Sequence, residues 1–164
     1  MKKLLKLLAK YLFLFVVGGV IYLGIELAWR WETHWTMGIL GGICFIELGL
    51  INELLSWKTT LLKQALIGSV LVTINEFISG LILNVWLGWD IWDYSNLPFN
   101  IMGQICLLFS ILWIFISIIG ILVDDYLRYR YFNEQYPVYK LGILSKIFKK
   151  TTWVPFKPRP LKSI

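Results

Sequence analysis

Charge is scarce in this chain: 16% of its 164 residues are charged and 58% are hydrophobic. A water-soluble domain of this length cannot hide so much apolar surface, and one compact membrane domain uses nearly all of the chain. Cysteine is sparse too. Cys44 and Cys106 both fall inside apolar runs, where a thiol behaves as a small hydrophobe, and no CxxC pair suggests zinc or redox chemistry. His34 is the single histidine, so no H-E-x-x-H pair exists, and no G-x-S-x-G elbow appears. The G-x-x-x-x-G-K-[ST] phosphate loop is missing as well, so the chain cannot hydrolyse ATP by that route alone. No cofactor is implied. The lysine-rich start is followed by an apolar run that ends at Glu26-Leu-Ala-Trp-Arg30 without an A-x-A site, so an uncleaved first helix is expected. Glycine is missing from position 2 and no prenylation box closes the sequence.

What is present is a set of four long apolar runs: 11–28, 37–55, 65–89 and 101–123. Each approaches the roughly 20 apolar residues needed to cross a bilayer core. The expected fold is all-α and polytopic: a bundle of four transmembrane helices over residues 1–125. A basic tail follows over 126–164, carrying a short interfacial C-terminal helix. Within 141–150 a helix would place Leu141, Leu144 and Phe148 on one side and lysines elsewhere. The close, Pro155-Phe-Lys-Pro-Arg-Pro160, reads as extended.

Charge distribution orients the bundle. Residues 1–10 carry four lysines and no acid, and residues 124–164 carry nine basic residues against three acids. Between them, Arg30 stands alone in the first connection, Lys58 and Lys63 lie in the second, and the third has no basic residue. Basic residues favour the cytoplasmic side. The expectation is therefore a multi-pass protein of the cell (cytoplasmic) membrane with both termini inside. Trp29, Trp31, Trp35, Trp86, Trp89 and Trp92 would form an aromatic belt at the outer interface, and Trp57 would mark the inner end of the second span. The basic tails suit acidic membrane lipids better than nucleic acid, so lipid is the expected partner.

Polar residues inside these runs carry the functional reading. Ser69, Thr73, Glu76, Gly80 and Asn84 share one helical face, which must look inward at other helices or a cavity. Glu76 lies thirteen residues before Trp89, about 20 Å below that end at 1.5 Å per residue, near mid-bilayer. Ionisable groups at that depth cost at least about 2.5–3.5 kcal/mol unless they meet partners or water. Gly19, Tyr22, Glu26 and Arg30 form a second stripe, in which Glu26 and Arg30 can pair at i,i+4. Glycines at 38, 41, 42 and 49 and the small residues Gly103, Cys106, Ser110, Ser117 and Gly120 read as packing surfaces. Ser69, Thr73, Cys106 and Ser110 read as interhelical glue, and Glu47 falls off every stripe.

The two outer connections would then face each other above Glu76 and Asn84. They would gather Glu26, Arg30, His34, Asp93, Tyr94 and Gln104 into an outward-facing polar cavity. His34 with Glu26 or Asp93 suits a general base, a weak metal site or a structural contact. Arg30 suits either an anion or Glu26.

Several strings, Gly24-Ile-Glu-Leu-Ala-Trp-Arg30, His34-Trp-Thr-Met-Gly-Ile-Leu-Gly-Gly42, Asn75-Glu-Phe-Ile-Ser-Gly80, Trp92-Asp-Tyr-Ser95 and Gly103-Gln-Ile-Cys106, resemble the ABC-transporter type IV (CmpB-like) family of bacterial membrane proteins. The resemblance covers about Gly24 to Asp125. It implies a permease-like part with an ATPase supplied on another chain, and it transfers no site residues. The leading expectation is thus a permease-like membrane subunit, with homo-oligomers expected because glycine-rich faces leave surface to pair. An intramembrane enzyme acting on lipid headgroups and a non-catalytic scaffold are the rivals.

Overall fold

The structure, a computed structural model, describes residues 2–55 and 59–156. Its four long helices run α1 Lys2–Arg30, α2 Trp35–Leu54, α3 Leu61–Gly80 and α4 Leu107–Phe132. One π-helical turn, Leu81–Trp86, extends α3, and all four helical segments are long and apolar enough to cross a membrane. The expected all-α polytopic fold is what the chain adopts. Trp57 and Lys58, read as marks of the inner connection, lie outside the described residues, as does the end of the tail from 157.

The helices run up, down, up and down. Gly18 meets Phe45 and Gly19 meets Gly38, which sets α1 antiparallel to α2. Gly68 meets Leu48 and Ser117, and Glu76 meets Trp113, which sets α3 antiparallel to both α2 and α4. The upper end carries the 31–34 and 87–106 connections. The lower end carries the start of α1, the end of α2, the start of α3 and the segment after α4. Two apolar clusters fill the bundle: Met37, Leu40, Cys44, Val72, Trp92 and Trp113 above, and Leu48, Ile51, Leu61, Ile121 and Tyr139 below. Leucine and isoleucine on the outer faces stay bare, as suits helices whose solvent is lipid.

The expected packing surfaces lie where helices touch. A side chain on Gly19 would put its Cβ 2.5 Å from the Gly38 carbonyl oxygen, so the backbones of α1 and α2 meet directly. Ser69 donates to the Ser110 carbonyl at 2.6 Å and Thr73 to the Ser110 hydroxyl at 3.2 Å, the interhelical glue expected of them. Glu47, which belonged to no stripe, accepts a hydrogen bond from Asn75 across the α2–α3 seam.

Helix ends differ from the hydropathy boundaries. The fourth helix begins at Leu107, because Asn100–Ile101 (β1) and Ile105–Cys106 (β2) pair as a tight hairpin with Met102 and Gly103 at positive φ. Gly103 and Cys106 therefore belong to this hairpin and not to the helix. At its lower end α4 continues through Asp124 and Asp125 to Phe132. The C-terminal helix is a single turn, α5 Ser145–Phe148, after a 3-10 turn at Gly142–Leu144. Gly142 and Lys149, both at positive φ, stop it at either side, and Tyr139–Lys140 (β3) pairs with Thr152–Trp153 (β4) around it. Five tryptophans expected in the belt are exposed at the upper end, Trp31 at 86%, whereas Trp92 is buried at 6%. Its indole is spent on the Gln104 carbonyl at 2.9 Å, so it is a core residue.

Replacing Gly19 with Val should weaken the α1–α2 seam by about 1–3 kcal/mol, the usual cost of overpacking. A detergent-unfolding midpoint that does not move would refute direct backbone contact there.

Candidate functional site

The face of α3 that carries Ser69, Thr73, Glu76 and Gly80 lies against α4. Gly80 has no side chain because Gln104 fills that space: a Cβ there would lie 2.5 Å from its Oε1. One turn below, Glu76 is 3% exposed and accepts two hydrogen bonds. Trp113 Nε1–H donates to Oε2 at 2.9 Å, and the Tyr94 hydroxyl donates to Oε1 at 3.0 Å. An indole nitrogen can only donate, so Oε2 must act as acceptor. Among the described residues no lysine or arginine forms an ion pair with this carboxylate.

Tyr94 and Trp113 also form the wall of a cleft between α1 and α4. It holds about 460 Å³ and is lined by Tyr22, Glu26, Arg30, Tyr94, Phe109 and Trp113, with aliphatic side chains of Ile25, Leu112 and Ile116. Tyr22 stacks on Trp113 with centroids 6.0 Å apart, and Tyr94 stacks on Phe109 at 4.7 Å. Arg30 Nη2 donates to Glu26 Oε1 at 2.8 Å, Thr33 donates to Glu26 Oε2 at 2.7 Å, and Arg30 Nη1 reaches the Ile91 carbonyl at 3.1 Å. Arg30 is thus committed to Glu26 and to the backbone of the opposite connection. It ties α1 to the loop that carries Tyr94. The Tyr94 hydroxyl is held well above the usual phenol range by burial and by the Glu76 charge, so it stays a donor.

The expected site residues separate into three groups. Glu26, Arg30 and Tyr94 line the cleft, and Glu76 stands behind its aromatic wall. Asn84 and Gln104 knot the 87–106 connection instead. Asn84 Nδ2 donates to the Trp92 carbonyl and to Gln104 Oε1, both at 2.9 Å, and its Oδ1 accepts from Ile91 N–H at 2.8 Å. Asn84 lies buried in the π turn that extends α3. His34 and Asp93 do not join the cleft lining. His34 caps α2, its Nδ1 within 2.8 Å of Thr36 Oγ1, between Trp35 and Trp89. Asp93 is exposed and accepts from Ser95 N–H at 2.8 Å and from its hydroxyl at 2.5 Å, and these bonds hold its carboxyl below the usual range. Among the described residues no set of three or more His, Cys, Asp or Glu side chains gathers to hold a metal ion.

A polar network at the lower end escaped the sequence reading. Arg128, 3% exposed, pairs with Asp124 one turn before it and with Glu53 of α2, and lies 3.7 Å from Glu134. Lys10 bonds Glu134 at 2.6 Å and lies 3.6 Å from Glu53. Asn52 and the Tyr139 hydroxyl both donate to Asp125 Oδ2 at 2.6 Å. Gly49 leaves room for the Asp124 carboxylate. A basin of about 960 Å³ opens beside this network. The i,i+4 spacing of Asp124 and Arg128, just beyond the fourth apolar run, was its signal in the sequence.

Asn84→Ala would strand three partners, two of them in buried bonds, and should cost about 1–3 kcal/mol for each that finds no water. An unchanged unfolding midpoint would deny it the knot. Arg128→Met leaves Asp124 buried and unpaired, with a loss of about 3–5 kcal/mol expected, much of it recovered by Asp124→Asn in the same chain. A double variant no more stable than the single one would contradict that pairing.

No curated protein and no solved structure matches the chain. Residues 13–149 match the family described as "Putative ABC-transporter type IV". That span takes in α1 from residue 13, the whole of α2, α3 and α4, and the lower network apart from Lys10, and the chain belongs to this family of ABC-transporter-related membrane proteins.

Proposed function

We propose that the chain is a permease-like membrane subunit that works with an ATPase on a separate chain, and that its working surface is the α1–α4 cleft. The observation behind this reading is the cleft itself. It is a hollow of about 460 Å³ at the upper half of the bundle, apolar along its sides, with the Glu26–Arg30 pair at its edge. Ligand sites are typically concave and mostly apolar with a few convergent polar groups, and this cleft has that composition. A purely structural bundle gains nothing from keeping α1 and α4 apart there.

The membrane in this reading is the cytoplasmic one, with both termini inside and the cleft toward the outside. The lysines of residues 1–10 and the basic residues after 126 support that orientation through the positive-inside rule. The tail over 126–164 would rest on acidic lipid, and a second copy of the chain would cover part of the bare helical surface. His34 and Asp93 would serve the upper connections as cap and turn residues, not as solute contacts, and Asn84 and Gln104 would hold the wall that Tyr94 belongs to. An enzyme acting on lipid headgroups would draw on His34, Glu26 and Asp93, of which Glu26 alone lines the cleft, where it is bonded to Arg30 and Thr33.

Purification of the full chain from its native membranes in mild detergent tests the reading. A chain with a phosphate-binding loop should co-purify in fixed ratio. Ile25→Trp, which fills the cleft, should lower ATP turnover of that complex severalfold without lowering the amount of complex. Recovery of the chain with no nucleotide-binding partner, or a filled cleft with unchanged turnover, would overturn it.

A further inference from the structure

We infer that the α1–α4 cleft binds a lipophilic organic monocation, such as a quaternary ammonium or phosphonium with bulky apolar substituents. The inference rests on the permease-like reading for its purpose and names the class of solute. Charge balance comes first. Glu26 and Arg30 neutralise each other at 2.8 Å, and Thr33 and the Ile91 carbonyl add one further bond to each. Glu76 has no such counter-charge among the described residues, so the cleft and its wall carry one net negative charge when that carboxylate is ionised.

Geometry comes second. The negative charge is not presented to the cleft directly but through Tyr94 and Trp113, whose polar tips both donate to Glu76 while their rings line the hollow. Aromatic rings attract cations through their quadrupole, most strongly where water is excluded. Donation from O–H and N–H to a carboxylate pushes electron density back into each ring and strengthens that attraction. Tyr22 and Phe109, stacked on Trp113 and Tyr94, and Trp29 add three more rings to the lining. A strongly hydrated metal ion finds no oxygen cage here, because the aliphatic walls offer nothing to replace its water. An organic cation sheds little hydration and fills the space with its apolar groups. Its charge supplies what Glu76 lacks.

The test uses two ions of the same shape and opposite charge. The full chain in lipid nanodiscs is titrated with tetraphenylphosphonium and with tetraphenylborate, read by tryptophan fluorescence, with empty nanodiscs subtracting partition into lipid. Saturable phosphonium binding is expected, at least about tenfold tighter than any saturable borate binding. Glu76→Gln, which keeps an acceptor but removes the charge, should abolish that preference, and Tyr94→Phe should reduce it. Equal or tighter borate binding, the result an anion site led by Arg30 would give, overturns the inference, as does a folded Glu76→Gln variant with unchanged phosphonium affinity. If Glu76→Gln fails to fold, the wild-type comparison still decides. Failure here with the ATPase still co-purifying would leave the permease-like reading standing with a different solute.

Discussion

A carboxylate with no counter-ion among the described residues, held by one indole and one phenol, organises the upper half of this bundle. Glu76 sits on α3, Trp113 on α4 and Tyr94 on the connection between them, so three separate parts of the chain converge on one acid. An ionised group at that depth is costly unless it is well bonded, and the two donors are what make the position tenable. The stacked pairs follow from it. Trp113 is fixed by its bond and so fixes Tyr22, and Tyr94 likewise fixes Phe109. Around them the Asn84–Gln104–Trp92 knot keeps the connection in register, and Arg30 ties it to α1 through the Ile91 carbonyl.

The lower half solves the same problem by the opposite means. Arg128 and Asp124 are buried together with Glu53, Glu134 and Lys10 close by, so each acid there meets a base. The contrast matters for function. The lower network spends its charges on one another and holds α1, α2 and α4 together, whereas Glu76 meets only the polar tips of two aromatic side chains whose rings line the cleft.

Much of the fold was legible because hydrophobicity and helical periodicity report burial directly. The stripe from Ser69 to Gly80 faces α4 as its spacing required, and the glycines of α2 meet α1 and Asp124. What stayed hidden depended on contacts distant in sequence. Nothing in a linear reading tells that Lys10 reaches Glu134, or that Trp92 leaves the aromatic belt for the core. The hairpin at Asn100–Cys106 displaced the start of α4 because hydropathy cannot distinguish an apolar hairpin from an apolar helix. Of the eight expected site residues, Glu26, Arg30, Tyr94 and Glu76 converge, while Asn84, Gln104, His34 and Asp93 spend their hydrogen bonds on the chain itself. Residue type marked all eight as unusual near a membrane, but only packing reveals which of them are already satisfied.

Infrared difference spectroscopy of wild type against Glu76→Gln, in mildly alkaline buffer, reaches the central feature most directly. A carboxylate stretch shifted by two hydrogen-bond donors should vanish with the substitution, together with a change in the indole N–H band of Trp113. A protonated-acid carbonyl band in its place, or an indole band that does not respond, would contradict an anionic Glu76 held by its aromatic donors.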